Sequence, residues 1–300
     1  MNMKFLRELT NLKFNYEVGK KTWFGTGGIS SAFILINNES TLKILMKIIP
    51  KNFPLLILGA GSNILIRDGG FKGLTVKLGN DFKQIYFQKK EMTLIVGSGV
   101  KDSEISKFCH KNSFSGFEFL KGIPGTIGGN IFMNAGCYGS VISDLLLSCR
   151  ILTRNAEIKE LNRNEMKFGY RHSSIDKDAI ILSAKFIAKK GTKKNIAKKL
   201  KKISNERINA QPVASRTGGS TFKNPPNESA WKLIDKINYR GRRLGGAIVS
   251  KHHTNFMINE NLASSLDIEL LGEEIKEKVK KKFKINLDWE IKRVGEFKKI

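Results

Sequence analysis

Residues Gly122–Gly139 read GIPGTIGGNIFMNAGCYG, six glycines in one stretch, with Pro124 ahead of Gly125 and Asn130 and Asn134 among them. Glycine at that density costs backbone entropy on folding and offers no side chains to a core. Such a run persists where backbone must approach a ligand closely, or where irregular turns serve structure alone. A second stretch bears on the choice. LGAGSNILIRDGG (Leu58–Gly70) follows the apolar run Leu55–Leu58 directly. Gly59-Ala60-Gly61 can turn tightly and aim N–H groups at a phosphate, with Ser62 and Asn63 as further donors. An ordinary hairpin turn is the competing reading. The stretch is no dinucleotide fingerprint, because Ile64 holds the sixth position and strand-like residues follow; no Gly-Lys-Ser/Thr closes it as a P-loop. Two such loops in one domain point to a long ligand carrying a pyrophosphate.

Working outward, short strands and helices alternate with glycine turns. Phe33–Ile36, Leu55–Leu58, Ile64–Ile66, Leu74–Leu78, Gln84–Gln88 and Thr93–Val96 read as strands, and Ala179–Ala188 as a half-buried one. Thr41–Ile49 places Leu42, Leu45, Met46 and Ile49 on one helical face behind a Ser40 cap. Asp102–Asn112 repeats the device with Ile105, Phe108 and Cys109 inward. The run Lys189–Arg207 sets Ile196, Leu200 and Ile203 at helical spacing behind a lysine face, and the pattern changes after it. Beyond come a helix at Ser229–Ile237, strands at Ala247–Ser250 and Asn255–Asn259, a charged helix at Asp267–Phe283 and a final strand at Ile285–Ile291. The fold class is α+β, in two domains, with a boundary near residue 190.

Composition bounds the function. The chain has 300 residues, 40% apolar, enough for two globular domains. Its net charge of +26 raises nucleic acid as a partner. Lysine far outnumbers arginine along the whole chain, however, and no basic segment carries interleaved stacking aromatics, so the charge reads as a general bias and nucleic acid is not expected. A polyanionic small substrate would still be attracted. No apolar run is long enough to span a bilayer. The N-terminal stretch MNMKFLRELTNLKFNYEVGKK lacks a signal-peptide core. Three cysteines without a C-x-x-C pair fit a reducing cytoplasm and argue against structural zinc.

A further glycine stretch, TGGSTFKNP (Thr217–Pro225), presents one hydroxyl beside a lysine and an amide. Serine after glycines suggests a nucleophile, but Gly218-Gly219-Ser220-Thr221-Phe222 lacks the second glycine of a nucleophile elbow. Taken singly, Ser220 also reads as a turn residue, Arg171 as a surface residue, and Glu290 as the solvated face of a strand whose other face is Leu287, Trp289 and Ile291. His252 and His253 are adjacent, so on a strand they face opposite ways, and no metal site is expected.

Together, LGAGSNILI, GIPGTIGGN, MNAGCYG, GYRHSS (Gly169–Ser174), GGSTFKNP, GGAIVSKHHTNFMIN (Gly245–Asn259) and LDWEIKRVG (Leu287–Gly295) resemble, in the same order, the UDP-N-acetylenolpyruvoylglucosamine reductase family. These flavoenzymes make UDP-N-acetylmuramate for peptidoglycan, and the short interval between Arg171 and Ser220 looks like the family's shorter type. The resemblance implies an FAD-binding domain of the vanillyl-alcohol-oxidase kind over 1–189, made of two α+β subdomains (about 1–78 and 79–189), then an α+β substrate-binding domain over 190–300. It implies FAD held by Gly59, Ala60, Gly61, Ser62 and Asn63 and by Gly122, Ile123, Pro124, Gly125, Thr126, Gly128, Gly129 and Asn130. None of the four histidines lies near the first loop, so the flavin is expected to be non-covalent.

The implied reaction uses NADPH as hydride donor and needs a grip on the substrate carboxylate and a proton for the neighbouring carbon. Arg171 suits the grip, since a guanidinium binds a carboxylate bidentately, with Glu290 assisting. Ser220, polarised by neighbours, suits the proton and reads as a donor rather than a nucleophile. Tyr170, Lys223, Asn224, His253 and Asn255 are expected at the substrate, His253 as either a packing or a substrate-side residue. Arg216 either binds diphosphate or is simply exposed. A monomer acting in the cytoplasm is expected. The alternative is another FAD oxidoreductase of the same fold, a sugar or alcohol oxidase.

Overall fold

A computed structural model of the chain describes residues 11–298. The first ten residues of the N-terminal stretch read above therefore lie outside the described residues. The chain forms two compact units that are discontinuous in sequence, whereas the reading above divides it once, at 189/190. The first unit gathers Ala32–Ala60 and Gly73–Glu206; the second gathers Phe14–Ser31, Gly61–Lys72 and the chain from Arg207 onward.

In the first unit, the strands Ser30–Ile36, Leu55–Ile57 and Phe71–Leu78 share a sheet with Phe71–Leu78 between the other two. Leu55–Ile57 runs parallel to it, Leu55 opposite Leu74 and Ile57 opposite Val76. Helix α1 (Glu39–Ile48) buries Leu42, Leu45 and Met46 among Ile34, Ile36, Val76, Ile180 and Leu182. Its cap is Asn38, not the expected Ser40: the Asn38 side chain accepts from Thr41 N–H at 2.8 Å, and Ser40 Oγ donates to Asn38 Oδ1 at 2.7 Å. Both residue types favour that position, and the extended backbone at Asn38 decides between them.

The same unit holds a five-stranded antiparallel sheet in the order Ile158–Asn162, Leu146–Leu152, Ile180–Ile187, Thr93–Gly97, Ile85–Gln88. Helices α2 (Asp102–Lys111) and α3 (Ile127–Met133) share its core through Ile105, Cys109, Ile127 and Ile131. Helix α3 lies inside the glycine-rich stretch. Ile127 and Ile131, four apart and both fully buried, hold it there against the glycines' low helix propensity. Helix α4 (Lys193–Ala210) buries Ile196 and Ile203 behind its lysine face, as the spacing predicts, and leaves Leu200 half-buried.

In the second unit, Thr217–Ser220, Phe256–Asn259, Ala247–Val249 and Arg243–Leu244 form an antiparallel sheet in that order. Helices α5 (Ala230–Lys236) and α6 (Ser265–Phe283) pack with it around Phe24, Leu65, Phe222, Met257 and Leu271. Each such side chain removed from water contributes about 1.5–3 kcal/mol. A capping box starts α6, with Asp267 N–H donating to Ser264 Oγ at 3.0 Å and Ser264 N–H to Asp267 Oδ2 at 2.9 Å. The expected final strand Ile285–Ile291 is instead a largely irregular stretch with one bridge, Trp289 opposite Phe222. The regular strand is Lys292–Val294, where Ile64–Ile66 supplies a parallel partner. No helix among the described residues is long and apolar enough to cross a membrane.

Candidate active site

The first unit carries the second glycine loop, and a buried carboxylate shapes it. Asp102, 1% exposed, accepts from Gly125 N–H at 2.7 Å and from Asn130 Nδ2 at 2.5 Å. Burial pushes its carboxyl up to about 7, against the opposing pull of those two hydrogen bonds. Ile127 N–H goes to Val100 O and Gly128 N–H to Ser98 O. So several amides of this loop are committed to the protein, and its use to a ligand lies in close approach more than in donation.

The first loop is the converse. Among the described residues, the N–H groups of Gly59, Ala60, Gly61 and Ser62 donate to no protein acceptor. Four successive amides without protein acceptors in a half-buried turn suit an anion. Gly59 lies against the second loop: a Cβ there would sit 2.7 Å from Thr126 Oγ1. These residues fit a dinucleotide's pyrophosphate, and the two loops read as independent in sequence meet at Gly59 and Thr126.

Arg171 belongs to the same unit. Gly169 and His172 exchange N–H to O hydrogen bonds at 3.0 and 3.3 Å, which makes Tyr170-Arg171 the tip of a tight turn. Arg171 takes a left-handed φ of 53°, its Nη2 donates to Gly136 O at 2.9 Å, and its guanidinium lies 5.2 Å from the Tyr170 ring centroid. Asn134 Nδ2 donates to Gly169 O at 2.9 Å and Ser173 Oγ to Phe132 O at 2.9 Å. The turn is thereby fastened to α3 and to the segment that follows it.

The second unit carries Ser220, and its two glycines have different reasons. A Cβ on Gly218 would collide with the fully buried Phe24 ring and lie 3.1 Å from Ile291 Cδ1. Gly219 has room for one, the nearest neighbour being Ser62 O at 3.9 Å, but takes φ +82°. That left-handed residue breaks the ladder between Thr217↔Ile258 and Ser220↔Phe256 and leaves Ser220 half-exposed at the strand end. The hydroxyls of Thr217 and Thr221, on either side, are buried with no partner in the protein.

Thr221–Lys223 runs antiparallel to Asp288–Glu290. Glu290 N–H donates to Thr221 O and Lys223 N–H to Asp288 O, each at 2.8 Å. Asn63 joins from the first glycine loop, its Nδ2 donating to Glu290 O at 3.3 Å while Lys292 N–H donates to Asn63 O at 3.1 Å. The structure therefore brings Ser62, Asn63, Gly219, Ser220 and Glu290 to one place.

Other expected residues are committed to structure. Asn255 accepts Phe222 N–H at 3.0 Å and donates to Phe222 O at 2.8 Å, so its buried amide fixes the strand end. Asn224 Oδ1 accepts Ala230 N–H at 3.0 Å, at the start of α5. His253 sits between Trp231 and Phe256, and Nδ1 accepts Asn255 N–H at 3.3 Å; burial lowers its pKa. Arg216 is exposed, with its side chain over Gly25. Asp102 was missed as a loop residue: in sequence it is only the acidic first residue of an amphipathic helix.

Residues 211–294 match the family model for the UDP-N-acetylenolpyruvoylglucosamine reductase C-terminal domain, and residues 30–162 match an FAD binding domain model. The chain is 44% identical over 285 residues to UDP-N-acetylenolpyruvoylglucosamine reductase of Rickettsia typhi, covering 95% of this chain and 96% of that protein. The Rickettsia prowazekii reductase is 42% identical with the same coverage. The crystal structure of the Thermus caldophilus reductase superposes with a TM-score of 0.82 at 26% identity, covering 95% of this chain and 98% of that one. Matched over nearly its whole length by these relatives, with an FAD-binding fold ahead of the reductase C-terminal domain, the chain belongs to the UDP-N-acetylenolpyruvoylglucosamine reductase family.

Proposed function

We infer that this chain is an NADPH-dependent FAD enzyme that reduces UDP-N-acetylglucosamine enolpyruvate to UDP-N-acetylmuramate for peptidoglycan synthesis. The observation that carries the site assignment is the convergence of Ser220, Glu290 and Asn63, with Glu290 N–H bonded to Thr221 O at 2.8 Å. Bound FAD would supply the hydride chemistry that links NADPH to the methylene carbon of the enol ether. Gly59–Asn63 and Gly122–Asn130 hold the cofactor without a covalent bond, the first loop through its open amides and the second through close backbone approach. Residues 1–189 chiefly serve the cofactor and 190–300 the substrate, with Tyr170 and Arg171 as the exceptions.

Charge then develops at the neighbouring carbon and spreads into the substrate carboxylate. Arg171 holds that carboxylate; a guanidinium stays charged and grips in a fixed fork. Ser220 Oγ gives its proton to the carbon, a general-acid step worth about 10²–10⁴ in rate. Glu290 is the second hydrogen-bonding group for the developing charge. Tyr170, Lys223, Asn224, His253 and Asn255 meet the sugar nucleotide, Asn255 while also bonding Phe222 and Asn224 while also bonding the start of α5. Three free cysteines and a sugar-nucleotide substrate support action in the cytoplasm; the chain is proposed to act as a monomer. An oxygen-using sugar or alcohol oxidase gains nothing from full-length likeness to reductases.

Anaerobic visible absorption tests the reading. NADPH should bleach the flavin, and only the enolpyruvyl sugar nucleotide should restore it. Ser220→Ala should bleach normally and recover slowly. Recovery with oxygen and a simple sugar alone would overturn the assignment.

A further inference from the structure

Trp289 stands immediately before Glu290, partly buried, and its indole is contacted at several points within the second unit. One face meets Phe222, ring centroids 5.2 Å apart, in the residue pair that bridges the Ser220 strand end to the Glu290 stretch. The Arg293 guanidinium lies 4.5 Å from the ring centroid. The six-membered edge rests on α6 at Gly272, where a Cβ would collide with it. The indole N–H donates to Glu273 Oε1 at 2.7 Å.

That carboxylate is part of a longer chain. Arg293 Nη1 donates to Glu273 Oε1 and to Glu269 Oε1, each at 2.8 Å, and Glu269 takes Arg67 Nη2 at 2.7 Å and Nε at 3.0 Å. Lys276 lies 3.2 Å from the other oxygen of Glu273. Arg67 directly follows Ile64–Ile66, the strand paired with Lys292–Val294, and Asn63 ahead of that strand donates to Glu290 O. The network thus returns to Glu290 from both sides, through Trp289 and through Asn63.

We propose that Trp289, oriented by Glu273 and Arg293, is the positioning residue that sets Glu290 against the Ser220 strand end for protonation of the substrate carbon. This rests on the assignment of Ser220 and Glu290 made above. Two bridge hydrogen bonds and the Asn63 contacts hold the backbone of this stretch. The indole, anchored at its edge and its N–H, adds the side-chain contact that fixes the direction in which the stretch presents Glu290. A displacement of about 1 Å at a reacting group can cost on the order of 10²-fold in rate.

The test uses the FAD-loaded enzyme and separates the half-reactions by anaerobic stopped flow. Trp289→Phe keeps an aromatic ring and loses the N–H anchor. Flavin reduction by NADPH should stay within about twofold of wild type, while reoxidation by the enolpyruvyl substrate should slow about 10–100-fold. The slowed step should also show a larger solvent deuterium isotope effect, because proton transfer limits it more fully. Glu273→Gln keeps an acceptor for the indole and loses the charge that orients Arg293, so it should fall between wild type and Trp289→Phe, and it decides the matter if Trp289→Phe fails to fold.

Wild-type reoxidation and isotope effect in both variants would overturn the proposal, as would equal slowing of both half-reactions. Ser220→Ala runs alongside. If it reoxidises at the wild-type rate, the assignment of the acid fails by itself, whatever Trp289→Phe does.

Discussion

Gly218 and Gly219 offer a paired test, because the same substitution at neighbouring positions meets two different physical obstacles. At Gly219 a methyl group has space, the nearest neighbour being 3.9 Å away, but the backbone stands at φ +82°. Gly219→Ala therefore costs the left-handed penalty, about 1–2 kcal/mol. Asparagine visits that region more readily, so Gly219→Asn should cost less than Gly219→Ala despite its size. At Gly218 the obstacle is the Phe24 ring, fully buried and unable to withdraw. Gly218→Ala overpacks, at about 1–3 kcal/mol, and Gly218→Asn should be worse again. Thermal unfolding by circular dichroism, with FAD saturating, reads the four variants at roughly 2–4 °C per kcal/mol. A crossover is expected: asparagine better than alanine at 219, alanine better than asparagine at 218. The same order at both positions would refute it.

Asp102 predicts a pH dependence. With its folded carboxyl at about 7 instead of the ordinary 3.8, the folded state keeps a proton that the unfolded state releases, so stability falls as pH rises from about 4 to about 7. The loss is on the order of 4 kcal/mol at about 1.4 kcal/mol per pH unit. Asp102→Asn should flatten denaturant-derived stability over that window; a parallel decline in both proteins would contradict the reading. Glu269→Ala leaves Arg67 and Arg293 facing each other without their shared carboxylate and should cost about 3 kcal/mol in urea unfolding, with Glu269→Gln intermediate. Arg171→Lys keeps charge but not the bidentate fork, so reoxidation by substrate should slow by about tenfold or more while FAD stays bound. Loss of FAD instead would make Arg171 a structural residue.

Much of the architecture was legible because local rules act over short spans. Most strand and helix positions follow from apolar spacing, as with Ile64–Ile66 and the buried face of α1. The exceptions lie where tertiary partners outweigh local preference. Helix α3 forms among glycines because Ile127 and Ile131 fill the core and Asp102 grips Asn130. The final strand moves to Lys292–Val294 because its partner, Ile64–Ile66, lies far back in the chain, out of reach of any local pattern.

The site divides the same way. Residue types and turn chemistry are local, so the glycine-rich loops and the glycine turn ahead of Ser220 could be read along the chain. Which residues meet was settled by the tertiary structure. Asn63 meets Glu290, Arg67 meets Glu269, and Trp289 meets Phe222 and Glu273 across long stretches of chain. It also decided that Asn255 is committed to Phe222, and that an unremarkable aspartate, Asp102, holds the second loop. The physical reason is that burial and hydrogen-bond pairing are settled by neighbours in space, and one chain order is compatible with many such neighbours until the core is packed.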